Sequence, residues 1–231
     1  MEQPIIITAE PTVTGRSSFL PRVYNWMAAG LGLTALVAYF TASNPALQKV
    51  VFGNNVVFYG LIIAELGLVI VLSAAVRRLS ATTATVLFLL YSTLSGVTFA
   101  SIFLLYTSSS IASTFFVSAG TFGAMSLYGY ATKRDLTSWG SFFFMGLIGL
   151  IIASVVNIWL HSAMISWAVT YLGVFIFVGL TAYDTQKIKM LARSGLTGEE
   201  QQKAAILGAL ALYLDFINLF LMMLRIFGRR R

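Results

Sequence analysis

The chain has 231 residues, of which 58% are hydrophobic and only 10% charged, with a formal charge of +7, one histidine and no cysteine. So few polar side chains cannot cover a soluble globule of this size, which excludes a soluble fold and points to an all-α integral membrane protein. The absent cysteines exclude a disulfide framework, thiolate metal sites and a cysteine nucleophile, and His161 cannot by itself build a catalytic triad or a histidine-rich zinc site.

The first 22 residues hold two acids and three of the four prolines, with no basic stretch leading into an apolar core, so residues 1–20 read as a mobile cytoplasmic tail rather than a signal peptide. Residues 21–231 form one transmembrane helical domain. Seven apolar segments follow at about 23–42, 55–76, 82–106, 109–131, 139–160, 163–184 and 204–227, each near the roughly 20 residues needed to cross a bilayer. The third and fourth are parted by a short turn at Thr107–Ser110, and the fifth and sixth by His161 and Ser162. Such short loops force antiparallel neighbours in a helical bundle. The longest connection, from about Lys187 to Lys203, is the one loop expected to carry extra-membrane structure.

Basic residues set the orientation. The tail and the 2–3, 4–5 and 6–7 loops hold ten lysines and arginines, whereas the alternate loops hold only Lys49. This placement reads as membrane topology with a cytoplasmic N-terminus, not as a nucleic-acid footprint. Arg225 and Arg229 to Arg231 then fall outside after seven crossings, against the trend. We read seven crossings, the alternative being a re-entrant segment that returns the C-terminus. Small residues spaced by four, Ser92, Gly96 and Ala100 in the third segment and Gly120 and Ala124 in the fourth, predict packing seams. Asn157 is expected to make an interhelical hydrogen bond, and the four tryptophans lie near segment ends, where they anchor at the interface.

Of eight acidic residues, only Glu65, Asp184 and Asp215 fall in or at the edge of spanning segments. A charge at mid-bilayer costs on the order of 2.5–3.5 kcal/mol on insertion scales, so each of these acids needs a partner, water or a proton, and the default reading is an ion or proton pathway. Asp184 ends the sixth segment as drawn, and Asp215 lies about eleven residues, or roughly 16 Å, into the seventh. They can meet if the sixth segment runs further. Close together in low dielectric, two carboxylates cannot both ionise cheaply, and would share a proton and titrate as a unit. They also supply hard oxygen ligands of the kind calcium takes, although two alone make an incomplete site. The alternatives are that Asp184 is interfacial and pairs with Lys187, and that Asp215 is held by an arginine.

Gly208, Ala211, Asp215, Asn218, Met222 and Arg225 form one small and polar stripe along the seventh segment. Glu65, Asn218 and Arg225 are therefore candidates for lining a pathway. Arg77 and Arg78, at the end of the second segment, are either a latch for an aspartate or ordinary interface anchors.

The stretches LYLDFINLFLMMLRIFG (212–228), LTAYDTQKIK (180–189), LYSTLSGVTFASIF (90–103) and YGYATKRDLTSWG (128–140) resemble the Bax-inhibitor family, also called the transmembrane Bax-inhibitor-motif family, and in particular its bacterial inner-membrane members. The resemblance covers everything after the tail. It implies a seven-helix bundle with the last helix central and a pH-sensitive calcium leak channel without a cofactor, calcium being at most a bound or transported ion. The sensor would be the pair Asp184 and Asp215, and the closed-state latch Arg77 or Arg78. Glu65 matches an acid in the second helix of the family. The resemblance also implies a second function class: regulation of a membrane-bound quality-control protease, or another stress-protective interaction, through the tail. An enzyme is not expected, since neither aspartate sits in the GxGD sequence of di-aspartate intramembrane proteases.

Overall fold

A computed structural model describes residues 18–76 and 78–231. The described residues form helices α1 (Phe19–Ser43), α2 (Pro45–Phe52), α3 (Asn55–Ala75), α4 (Ala81–Leu105), α5 (Ser108–Ala131), α6 (Thr137–Leu160), α7 (Ala163–Arg193) and α8 (Gly198–Phe227). All but α2 are long and apolar enough to cross a membrane. The N-terminal tail assigned to residues 1–20 lies largely outside the described residues; Phe19 and Leu20 already belong to α1, where Phe19 is buried.

Local chemistry fixes the helix ends. Asn44 caps the short α2, accepting from the amides of Ala46 at 3.0 Å and Leu47 at 3.3 Å, with Pro45 in the first turn, where it has no amide to waste. Ser80 accepts from the Thr83 amide at the start of α4, and Ser162 from the Ile165 amide at the start of α7. Between α6 and α7, His161 takes a left-handed conformation with φ 50°. The expected interhelical bond of Asn157 is instead local: its Oδ1 accepts from the Ser162 amide at 2.9 Å and closes this tight turn.

The 6–7 loop is much shorter than the sequence suggested. α7 continues to Arg193 and α8 begins at Gly198, leaving residues 194–197 between them. Hydropathy marks where the apolar run stops, but the helical pattern continues past it, with Ile188 and Ala205 both buried. Gly195, at φ 75°, supplies the left-handed residue that stops α7. Glu199 and Glu200 occupy the first turn of α8, where acids suit the helix dipole.

α8 packs directly against α1, α4, α5 and α7, while α3 packs on α4 and α6 on α7 at the outside. Of the most apolar stretch of α8, 61% is buried within the protein, against 6% for α3 and 11% for α6. α3 and α6 therefore present most of their apolar surface outward, as lipid-facing helices do.

α8 runs the full height of the bundle. Near its start, Lys203 donates to the Leu79 carbonyl at 3.1 Å and Glu199 accepts from the Ala81 amide at 3.0 Å, so it is tied to the α3–α4 turn. Past its end, the Thr107 amide donates to the Arg229 carbonyl at 3.0 Å and the Arg231 amide to the Leu105 carbonyl at 3.0 Å, which ties it to the α4–α5 turn. No described segment turns back within the bundle, and the C-terminal arginines lie at the end opposite the α3–α4 and α7–α8 turns.

The small-residue seams divide. Ser92, Gly96 and Ala100 are buried, and a Cβ on Gly96 would stand 2.7 Å from Val37 Cβ and 2.8 Å from the Thr34 carbonyl oxygen, so this stripe is the α1–α4 seam. Gly120 and Ala124 are exposed, with nothing within 4 Å of a Cβ on Gly120. The packed stripe of α5 is Ser110, Thr114, Ser118, Phe122 and Ser126. A small residue carries no sign of whether its face meets protein or lipid.

Candidate functional site

Asp215 sits midway along α8, the most enclosed helix, and is itself only 4% exposed. Its Oδ2 is buried with no hydrogen-bond partner among the described residues. Asp184, on α7, is half-buried.

Two contacts set the register of these antiparallel helices. A Cβ on Gly173 would lie 3.1 Å from Met222, and one on Gly208 would lie 3.2 Å from Ile188. Interpolated between those points, Asp184 falls opposite Ala211 and Leu212. Asp215 is then about one turn, roughly 5 Å, from it along the axis. The extension of α7 beyond the apolar run is what makes this possible. Asp184 is the one charged group among the described residues that acts electrostatically on Asp215. Among the described residues no arginine holds Asp215 there.

Asp184 also feels Lys187, one turn on. That pair does not close into contact: among the described residues the one ion pair is Lys203–Glu199, at 3.7 Å and partly exposed.

The turns around Asp184 are held from three sides. Thr185 shares a hydrogen bond of 3.2 Å with the Tyr24 hydroxyl of α1. Gln186 accepts from the Leu136 amide at 2.8 Å and donates to the Arg134 carbonyl at 2.8 Å, binding α7 to the α5–α6 loop. Lys189 donates to the Tyr130 carbonyl and stands over its ring. Gly129 lets α5 approach so closely that a Cβ there would run into the Ala182 carbonyl oxygen. Gln186 was missed in the sequence, where nothing distinguishes a buried loop-binding amide from one that ends a helix in solvent.

The other sequence candidates scatter. Glu65 lies between α3 and α4, accepting from Ser95 at 3.2 Å and from Thr98 at 2.5 Å. Beside it runs a second polar chain missed in the sequence: Thr34 donates to the Ser92 carbonyl at 2.8 Å and shares a 2.7 Å hydrogen bond with the Tyr213 hydroxyl, linking α1, α4 and α8. Asn218 spends its amide on its own helix, donating to the Leu214 carbonyl at 2.8 Å. Arg225 is exposed at the far end of α8, remote from the aspartates. Arg78 is exposed and makes no ion pair with either aspartate, and Arg77, the other latch candidate, lies outside the described residues. Among the described residues no three acids or histidines gather as a metal cluster, so Asp184 and Asp215 stand as a pair of carboxylates without a third ligand of that kind.

Comparison with known proteins matches residues 16–231 to the family described as "Inhibitor of apoptosis-promoting Bax1". The chain is 58% identical over 219 residues to the inner membrane protein YbhL of Escherichia coli K12, covering 94% of both chains. It is 46% identical over 228 residues to an uncharacterised protein of Deinococcus radiodurans, covering 99% of this chain and 97% of that one. An uncharacterised membrane protein of Streptococcus pyogenes serotype M1 is 38% identical over 217 residues, covering 93% of this chain and 94% of the relative.

Proposed function

The chain belongs to the Bax1-inhibitor family of membrane proteins, and from that premise we propose that it is a pH-sensitive cation leak pathway of a bacterial inner membrane, with calcium as cargo and Asp184 and Asp215 as the gating pair. One observation carries this reading: the carboxylate of Asp215 is buried on the most enclosed helix, and among the described residues one of its oxygens has no hydrogen-bond partner and the Asp184 carboxylate is the one charge acting on it. A carboxylate in that position gains a hydrogen bond when one proton is shared with its neighbour, and meets repulsion when both ionise. The two states favour different separations of α7 from α8. A change of pH thereby biases the packing of the helix that touches four others, which is the kind of bistable element a gate requires. Calcium, a hard cation, would meet the carboxylate oxygens on its way and find too few of them there to be held tightly.

Arg78 or Arg77 serves as the latch in this reading, releasing or engaging an aspartate as α7 and α8 shift. Regulation of a membrane-bound protease through the N-terminal tail is the second reading; it rests on residues outside the described part of the chain. The test of the first is calcium release from liposomes holding the reconstituted protein and an indicator dye, followed across pH. Asp215→Asn should flatten the pH profile, and an unchanged profile would sink the gating role. Deleting residues 2–20 should leave the leak intact while abolishing protease regulation.

A further inference from the structure

The four arginines that break the positive-inside pattern, Arg225 and Arg229 to Arg231, are not explained by topology or by the aspartate pair. Three features at their end of the bundle bear on what they do. First, the segment after α8 is docked, not trailing. Its backbone bonds to both sides of the α4–α5 turn, Arg230 forms an antiparallel bridge with Tyr106, and Ser110 Oγ donates to the Arg229 carbonyl at 3.4 Å. The backbone of Arg230 is thus fixed between two bonded neighbours, which lowers the backbone ordering cost of binding there.

Second, Arg225 and Arg230 line one cavity of about 560 Å³, together with Ser166, Thr170, Tyr106 and Trp167. Arg225 also lines an adjoining cavity of about 260 Å³ with Asn157 and Ser154. Third, neither arginine has an ion-pair partner among the described residues. Two arginines lining one cavity with no ion-pair partner among the described residues, and with hydroxyl-bearing side chains beside them, suit an anion. Guanidinium forks match the oxygens of a phosphate in bidentate fashion.

Size and surroundings choose the source of that phosphate. The cavity is of the volume that holds a small organic ligand, far larger than a bare phosphate ion. Its remaining wall includes Ile102, Leu221 and Leu224, and Trp167 stands at the start of α7, where indole rings sit at the headgroup level. We propose that this cavity binds the phosphodiester headgroup of an anionic phospholipid, with Arg225 and Arg230 gripping the phosphate and the leucine wall meeting the top of the acyl chains. The arginines then sit against the positive-inside trend because a bound lipid supplies their counter-charge.

The test is native mass spectrometry of the full chain in detergent with added phosphatidylglycerol or phosphatidylcholine. The wild type should retain phosphatidylglycerol over phosphatidylcholine by roughly tenfold, and Arg225→Gln/Arg230→Gln should lose most of that preference. Equal retention of the two lipids, or an unaltered preference in the double variant, overturns the proposal. Displacement of the phosphatidylglycerol by millimolar inorganic phosphate would identify a free-anion site and overturn the lipid assignment. Arg225→Lys/Arg230→Lys keeps the charge without the fork and guards against misfolding of the glutamine variant: reduced retention supports bidentate grip, and wild-type retention contradicts it.

Discussion

Two glycines of similar appearance in the sequence give a sharp test of the packing. Gly96 and Gly120 both lie inside spanning helices and both begin or continue a small-residue stripe. Alanine at either position gains the same helix propensity, about 1 kcal/mol, so that contribution cancels when the two variants are compared. At Gly96 the new methyl would stand 2.7 Å from Val37 Cβ and 2.8 Å from the Thr34 carbonyl oxygen. Carbon atoms pack at about 3.5–4.0 Å, so α1 and α4 must separate by roughly 1 Å. Neither obstacle is the free end of a flexible side chain. At Gly120 nothing stands within 4 Å. Overpacking of this kind costs about 1–3 kcal/mol, so Gly96→Ala should be less stable than Gly120→Ala by that amount, a factor of roughly 5 to 150 in the unfolding equilibrium. Reversible unfolding in mixed micelles with increasing SDS measures the difference. Equal stabilities of the two variants within about 0.5 kcal/mol would refute the α1–α4 register.

Gly129→Ala should push α7 from α5 at Ala182, two residues before Asp184, and so change the amplitude or pH midpoint of calcium release, whereas Gly120→Ala leaves both alone; the liposome assay reads this. A double-mutant cycle of Thr34→Val with Tyr213→Phe should show a coupling of about 0.6 kcal/mol, up to about 1.7, across the α1–α8 contact, measured by the same SDS titration. Asp135, in the α5–α6 loop, accepts from the Thr137 hydroxyl at 2.6 Å and the Thr137 amide at 2.9 Å, and these bonds hold its carboxyl below the usual value of 3.8. Because the folded value is depressed, the local stabilisation is complete above that usual value and is lost as pH falls through the lower, folded one. Hydrogen exchange at the Thr137 amide should lose protection over that acidic window, and Asp135→Asn should show no such step.

The seven crossings were legible in the sequence because hydropathy reports directly on the bilayer, and most helix limits fall within a few residues of those read from it. Asp184 and Asp215 were legible for the same reason: a carboxylate in an apolar run has no cheap explanation. What hydropathy could not show is where a helix stops once it leaves the apolar layer, hence the shortened connection between Arg193 and Gly198. Nor could it separate a lipid-facing face from a protein-facing one, since both are apolar or small. Gly120 and Gly96 read alike for that reason, and the contacts of Tyr213 with Thr34, and of Gln186 with the α5–α6 loop, left no periodic trace. Short α2 was not read from the sequence, because it lies between spans, where a hydropathy window is blind.

The central claim is that Asp184 and Asp215 act as one titrating unit on the α7–α8 contact. Calcium release from liposomes, recorded across pH for the wild type, Asp184→Asn, Asp215→Asn and the double variant, tests it most directly. Residues that share one proton are non-additive, so each single change should abolish the pH step and the double change should add nothing further. Single variants that keep the step, or effects that simply add in the double variant, would contradict it.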